Sequence, residues 1–188
     1  MKKFEFTGEV MTRWDGTILH RIRALIEIDL GWKIIKAGEV GGWLEKEANL
    51  SQHGKCWVWG NAKVCGDAKV CGDAEVWGNA EVWGNAEVWG NAKVWGNAEV
   101  CGDAHVWKSE HVLVIGAIGS RDDFTTFMRN KRGEIKVRCG CFFGTVDEFL
   151  AKVKQTHGDS KYAVVYRAAV TLAIAQIDTA PAEEEIDG

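Results

Sequence analysis

The chain has 188 residues, 46% hydrophobic and 27% charged, with a net charge of −4. That length suffices for one buried core, or for a repeat module with a smaller partner, and the charge is far from the basic surplus of a nucleic-acid binder. No apolar run reaches the roughly eighteen residues of a membrane span and the first residues lack the apolar core of a secretion signal, so neither a membrane nor nucleic acid is expected as a partner.

The first fifty residues read as strands. Ile22, Ala24, Ile26 and Ile28 alternate with Arg21, Arg23, Leu25 and Glu27, the period-two pattern of a half-buried strand. Glycines at Gly8, Gly16, Gly31, Gly38 and Gly41–Gly42 punctuate them. Residues 1–50 are expected to cap the open end of the array that follows, because stacked coils must cover their terminal edges.

That array is the dominant feature. Ten valines recur at six-residue spacing: Val58, Val64, Val70, Val76, Val82, Val88, Val94, Val100, Val106 and Val112. Between them run Trp or Cys, Gly, Asn or Asp, Ala, and Lys or Glu. Valine suits the inward position of a short strand. Alanine fits where the interior narrows, and Gly with Asn or Asp serves the corner. A strand and a corner repeated in this way make a β-solenoid. Three units per coil bring the same face round every eighteen residues, which places Trp59, Trp77 and Trp95 in one column. Cys65, Trp83 and Cys101 fall in a second, and Cys71, Trp89 and Trp107 in a third. The outward position before each valine carries charge that partly alternates vertically, Lys63 with Glu81 and Glu75 with Lys93. Cys65 and Cys101 lie two coils apart, about 9.6 Å at ladder spacing, beyond disulfide reach. The six cysteines are therefore expected as free thiols, those of the repeat as small outward fillers, in a reducing cytoplasm.

The repeat resembles the hexapeptide repeat of left-handed parallel β-helix proteins, most strongly from Val40 to Val112. The segment from Gly38 to Glu45, leading to Asn49-Leu50-Ser51, resembles the entry segment of uncharacterised bacterial and phage members of that group. Left-handedness and a three-sided cross-section are what the resemblance implies. Many relatives are acyltransferases; others have no established reaction.

After Val112 the period stops. Strands are expected over Leu113–Ile118, Phe124–Arg129 and Glu134–Cys139. A capping box at Thr145–Glu148 opens one helix, and a second runs from about Lys161 to Ile177. Residues 113–178 thus read as a small α+β domain with a surplus of three positive charges, and residues 179–188 as an acidic, disordered tail. The stretches Ile118–Phe127, Cys139–Thr145 and His157–Asp159 resemble a small domain attached to such repeats in phage and prophage proteins. The fold expected is mainly β: a left-handed parallel β-helix of about four coils over residues 51–112, between the cap and the α+β domain.

Three chemistries deserve candidates. His105 projects outward near Trp89 and Trp107, and it would be the general base if the protein were an acetyl-CoA-dependent acyltransferase. His111 follows one unit later, in the column of Glu75 and Lys93. Cys139-x-Cys141 with His157 lacks the ligands of a zinc site, so no metal is expected. Ser120, Arg121, Thr125, Thr126, Arg129, Lys136 and Arg138 gather hydroxyls and cations near a turn and a hairpin, which suits a small anionic, nucleotide-like ligand. Six tryptophans at outward positions (Trp59, Trp77, Trp83, Trp89, Trp95 and Trp107) form more apolar surface than a soluble monomer ordinarily exposes. The second helix folding back covers one such face at most. The reading is a non-catalytic binding or scaffold protein of phage or prophage type, cytoplasmic (in the host, if phage-encoded) and without cofactor. It self-associates through these faces, most simply as a trimer, and captures a small anion or a host protein. The alternatives are acyl transfer and a structural virion component.

Overall fold

The computed structural model describes residues 2–180. Of the acidic tail expected over residues 179–188, residues from 181 onward lie outside the described residues. Five strands come first: β1 (Phe4–Thr12), β2 (Ile18–Ala24), β3 (Ile28–Asp29), β4 (Ile34–Ile35) and β5 (Val40–Leu44). Nine two-residue strands follow at six-residue spacing: β6 (Trp57–Val58), β7 (Lys63–Val64), β8 (Lys69–Val70), β9 (Glu75–Val76), β10 (Glu81–Val82), β11 (Glu87–Val88), β12 (Lys93–Val94), β13 (Glu99–Val100) and β14 (His105–Val106). The remainder is β15 (Val112–Ile118), β16 (Asp123–Arg129), β17 (Ile135–Cys139), β18 (Phe142–Thr145), α1 (Val146–His157) and α2 (Lys161–Gln176).

The short strands stack in parallel as a β-solenoid of about four turns. From Val58 to Val88 each valine pairs with the valine eighteen positions on, as Val64 with Val82 and Val82 with Val100. Three ladders result: β7–β10–β13, β8–β11–β14 and β6–β9–β12. Valines and alanines from every rung form one continuous buried core. A fully buried valine stabilises by roughly 1.5–2 kcal/mol, and the column supplies one every six residues. Glycine is demanded at the corners twice over. Gly84 has φ +71°, and a Cβ there would lie 3.1 Å from the backbone nitrogen of Gly102 in the coil above.

The ladders reach back beyond the expected boundary at residue 51. β5 pairs in parallel with β7, Trp43 with Lys63 and Leu44 with Val64, and Leu50 bridges Val70. The N-terminal hairpin β1–β2 then extends the same sheet through antiparallel β2–β5 pairing. The cap is thus a lateral extension of one ladder as well as a lid. Its first coil is two residues longer than the others, and buried Lys3 neutralises the extra loop by donating Nζ to the carbonyls of His53 (3.3 Å) and Cys56 (2.8 Å).

The coils end at Val106, not Val112. Trp107 leads into a 3-10 turn at Ser109–His111, and Val112 opens β15 of a separate four-stranded antiparallel sheet, β15–β16–β17–β18. His111 is therefore a buried residue of the closing corner, and not an outward member of the Glu75–Lys93 column. The corner at Glu47–Asn49 mirrors it sixty-two positions earlier. Asn49 Oδ1 accepts from the Lys46 N–H (2.9 Å), and His111 Nδ1 accepts from those of Trp107 and Lys108 (3.3 Å each).

The C-terminal sheet uses its two faces differently. Phe127 and Val137 pack on α1 and α2, while Thr126, Met128 and Arg138 face the last coil. Thr126 Oγ1 accepts the Glu99 N–H (3.0 Å), and Met128 Sδ accepts that of Cys101 (3.4 Å). The capping box at Thr145 forms as expected, with the Glu148 N–H donating to Thr145 Oγ1 and the Thr145 N–H to Glu148. The 139–145 segment contributes the unanticipated strand β18. No helix among the described residues is long and apolar enough to cross a membrane.

Candidate functional site

The tryptophan columns stack as the period requires. Ring centroids lie 5.6 Å apart for Trp59–Trp77, 5.4 Å for Trp77–Trp95 and 5.6 Å for Trp89–Trp107. The vertical ion pairs also form, Lys63–Glu81 at 2.7 Å and Lys93–Glu75 at 3.3 Å.

Much of the outer wall is covered from within, however, and not by the second helix, which packs on the four-stranded sheet. Leu19 and Met11 from the hairpin β1–β2, together with Trp43, pack over Cys65 and Trp83. Arg13 donates to Cys65 Sγ (2.9 Å) and Glu81 (3.0 Å). Arg138 lies 5.3 Å over the Trp83 ring, and Arg129 4.2 Å over Trp107. Cys65 and Cys101 are consequently buried, not outward fillers. Burial pushes their thiols up, to about 11 and about 12. All six cysteines are free thiols.

His105 sits between the indoles of Trp89 and Trp107, with centroids at 5.5 and 5.2 Å. Its Nε2 accepts the Trp89 indole N–H at 3.1 Å. Burial lowers its pKa, with Glu87 opposing the shift. The lone pair a general base would use is already engaged.

Glu110, His111 and Asp178 bring potential ligand atoms within 4.8 Å of one another. Backbone donors occupy the Nδ1 lone pair of His111, so the neutral ring carries its proton on Nε2. A metal would need that nitrogen bare, and the donor set does not fit one. Burial pushes the His111 pKa down to about 4.

The seven residues expected to hold an anion are dispersed. Thr126 caps the last coil, and Arg138 Nε donates to Glu99 (2.6 Å). Thr125 Oγ1 donates to Cys139 Sγ (3.3 Å), and Lys136 pairs with Glu134 (3.1 Å). Arg129 donates to the carbonyls of Asn130 (2.8 Å) and Ala180 (2.7 Å). Strand alternation sends Thr125 to the face opposite Thr126, while Thr126 and its cross-strand partner Arg138 are both spent on Glu99.

Ser120 and Arg121 remain together and unspent, lining a cavity of about 170 Å³. The helices complete it with Lys152, Thr156, His157 and Tyr166 over a floor of Phe142 and Phe149. Its charged lining residues are cations, and Arg121 makes no ion pair among the described residues. Tyr166 is pushed up to about 12, by burial first and by the neighbouring Cys139 thiol second, so it offers a neutral O–H. Of the helix contributors, only His157 is weighed from sequence, and that as a zinc ligand, not as part of an anion site. Their signal was present as helical spacing: Phe149, Val153 and His157 share one face of α1, with Lys152 and Thr156 beside it.

No family model matches the chain, and no curated protein matches it.

Proposed function

We propose that this protein is a non-catalytic binding scaffold: a left-handed, three-sided solenoid that carries a small anion-binding domain at one end. The observation that supports it is the cavity at Ser120 and Arg121, where the hydroxyls of Ser120, Thr156 and Tyr166 and three basic side chains converge with no carboxylate in the lining. A phosphate or a carboxylate is the ligand class that satisfies such a set, since hydrogen bonds from charged donors to anions are the strong ones. The occupied Nε2 of His105 counts against the acyl-transfer alternative. Self-association as a trimer, in the manner of phage- or prophage-type scaffolds, rests on the Trp59–Trp77–Trp95 column, whose outer edges the hairpins leave partly open.

Calorimetric titration with inorganic phosphate and nucleoside monophosphates tests the ligand. Arg121→Ala and Lys152→Ala should each weaken binding by about tenfold, in line with hydrogen bonds to charged groups, whereas Lys136→Ala should not. Absence of binding at millimolar ligand, or equal loss in Lys136→Ala, refutes the site. Light scattering tests the assembly: a mass matching one 20.8 kDa chain removes the trimer.

A further inference from the structure

The aromatic columns do not end alike. Below Trp59 the column is closed by Trp32, edge-on at 5.7 Å, whose Nε1 donates to the Glu75 carboxylate at 3.1 Å. The Trp89–Trp107 column is closed by His111, edge-on at 4.1 Å, and by Arg129. Trp95 has Trp77 on one face and no ring or guanidinium of the described residues on the other, and it is 49% exposed. A Cβ built on the adjacent Gly96 meets nothing within 4 Å, although one on Gly84, two corners earlier, would touch the coil above. The eighteen-residue spacing of this column would set the next ring at position 113. That residue is Leu113, on a strand that has left the coils and packs into the C-terminal core.

The backbone beneath is open as well. In lower coils the N–H groups of Trp77 and Asn79 donate upward to the carbonyls of Val94 and Gly96. On β12 the Lys93 N–H finds Ser109 Oγ at 3.1 Å, but those of Trp95 and Asn97 find no acceptor among the described residues. Over this edge lies a cavity of about 480 Å³ lined by Lys93, Trp95, Ser109, Glu110, Leu113 and Gln176. Pockets of this size hold small organic ligands.

We propose that this cavity binds a neutral, planar heteroaromatic ring of nucleobase size, stacked on the free face of Trp95 as the fourth member of the column. The stack selects flatness. The open N–H of Trp95, which lines the cavity, selects a ring with an acceptor on its edge. Neutrality follows from the charges already being matched, Lys93 by Glu75 at 3.3 Å and Glu110 by Lys108 at 3.6 Å. The site is separate from the anion cavity and does not depend on it.

Equilibrium dialysis with adenosine, and with ribose as the ring-free control, tests this in the full chain. Adenosine should bind, ribose should not, and inorganic phosphate should not compete. Trp95→Ala should weaken adenosine binding by about tenfold or more, the scale of one base stacked on an aromatic side chain. Gln176→Trp, from the exposed end of α2, should block the cavity with no change in melting temperature. Failure of the unmutated protein to bind adenosine at millimolar concentration overturns the proposal. Binding that survives both substitutions, or that phosphate displaces, overturns it equally.

Discussion

Acidification should loosen the closing corner of the solenoid through a single imidazole. His111 is fully buried, and its Nδ1 accepts two backbone N–H groups that would otherwise be orphaned. A proton on Nδ1 removes both bonds at once. The folded-state pKa is depressed to about 4 from the usual 6.5, so the unfolded chain takes up the proton first. The stability contributed by the neutral ring is complete above pH 6.5 and is lost as pH falls toward 4. The shift corresponds to about 3 kcal/mol at 1.36 kcal/mol per unit. Two buried donors left unsatisfied would cost about the same. Urea denaturation at intervals from about pH 7.5 to about pH 4.5, a range that brackets the ordinary imidazole value, should show this fall. The informative comparison is His111→Asn, because Asn49 performs the same capping at the entry corner without titrating. That variant should keep most of its stability at neutral pH and lose most of the slope below pH 6.5. His105, also depressed by burial, contributes equally to both proteins and cancels in the difference. If His111→Asn retains the full slope, the assignment of the corner to this imidazole is wrong.

The corner glycines offer a paired test. Gly84→Ala suffers both the positive φ and the contact with Gly102, whereas Gly96→Ala suffers the φ alone. Denaturation should show the first to be the more damaging by about 1–2 kcal/mol, and equal losses would contradict the open space above Gly96. Thiol titration under native conditions should find Cys141, the exposed cysteine, reacting first, with Cys65 and Cys101 silent until unfolding. Arg13→Ala should then unmask Cys65 to the reagent, since the Arg13 guanidinium lies against its sulfur; no change in reactivity would refute that role. Arg138→Ala should lower the melting temperature by a few degrees through loss of its Glu99 bond and its seat on Trp83.

The six-residue period was sufficient for the coils. Val64, Val82 and Val100 align as the spacing demands, and Trp59, Trp77 and Trp95 stack. Such a register is local arithmetic: identical units placed above one another must bring identical side chains into line. The capping box at Thr145 was equally legible, being a contact between residues three apart. The exit from the coils was not. Val112 continues the valine spacing, yet its neighbours Ser109 and His111 turn the chain into a different sheet.

The candidate site was legible in part for the same reason. Ser120 and Arg121 belong to one turn and stay together. Thr125, Thr126, Lys136 and Arg138 lie on paired strands, where alternation sends adjacent residues to opposite faces. Which face meets the solenoid depends on how the sheet docks, and no spacing in the chain encodes that. Lys152, His157 and Tyr166 reach the cavity only because two helices pack across the sheet.

Taken alone, the order of residues determined the repeating coil, its aromatic columns and its inward valines, because a periodic pattern specifies its own stacking. Tertiary structure decided which indoles remain open, which cations are spent on the chain itself, and where the column stops at Trp95. Those outcomes depend on contacts between segments far apart in the chain, whose geometry is set by the packing of the whole molecule.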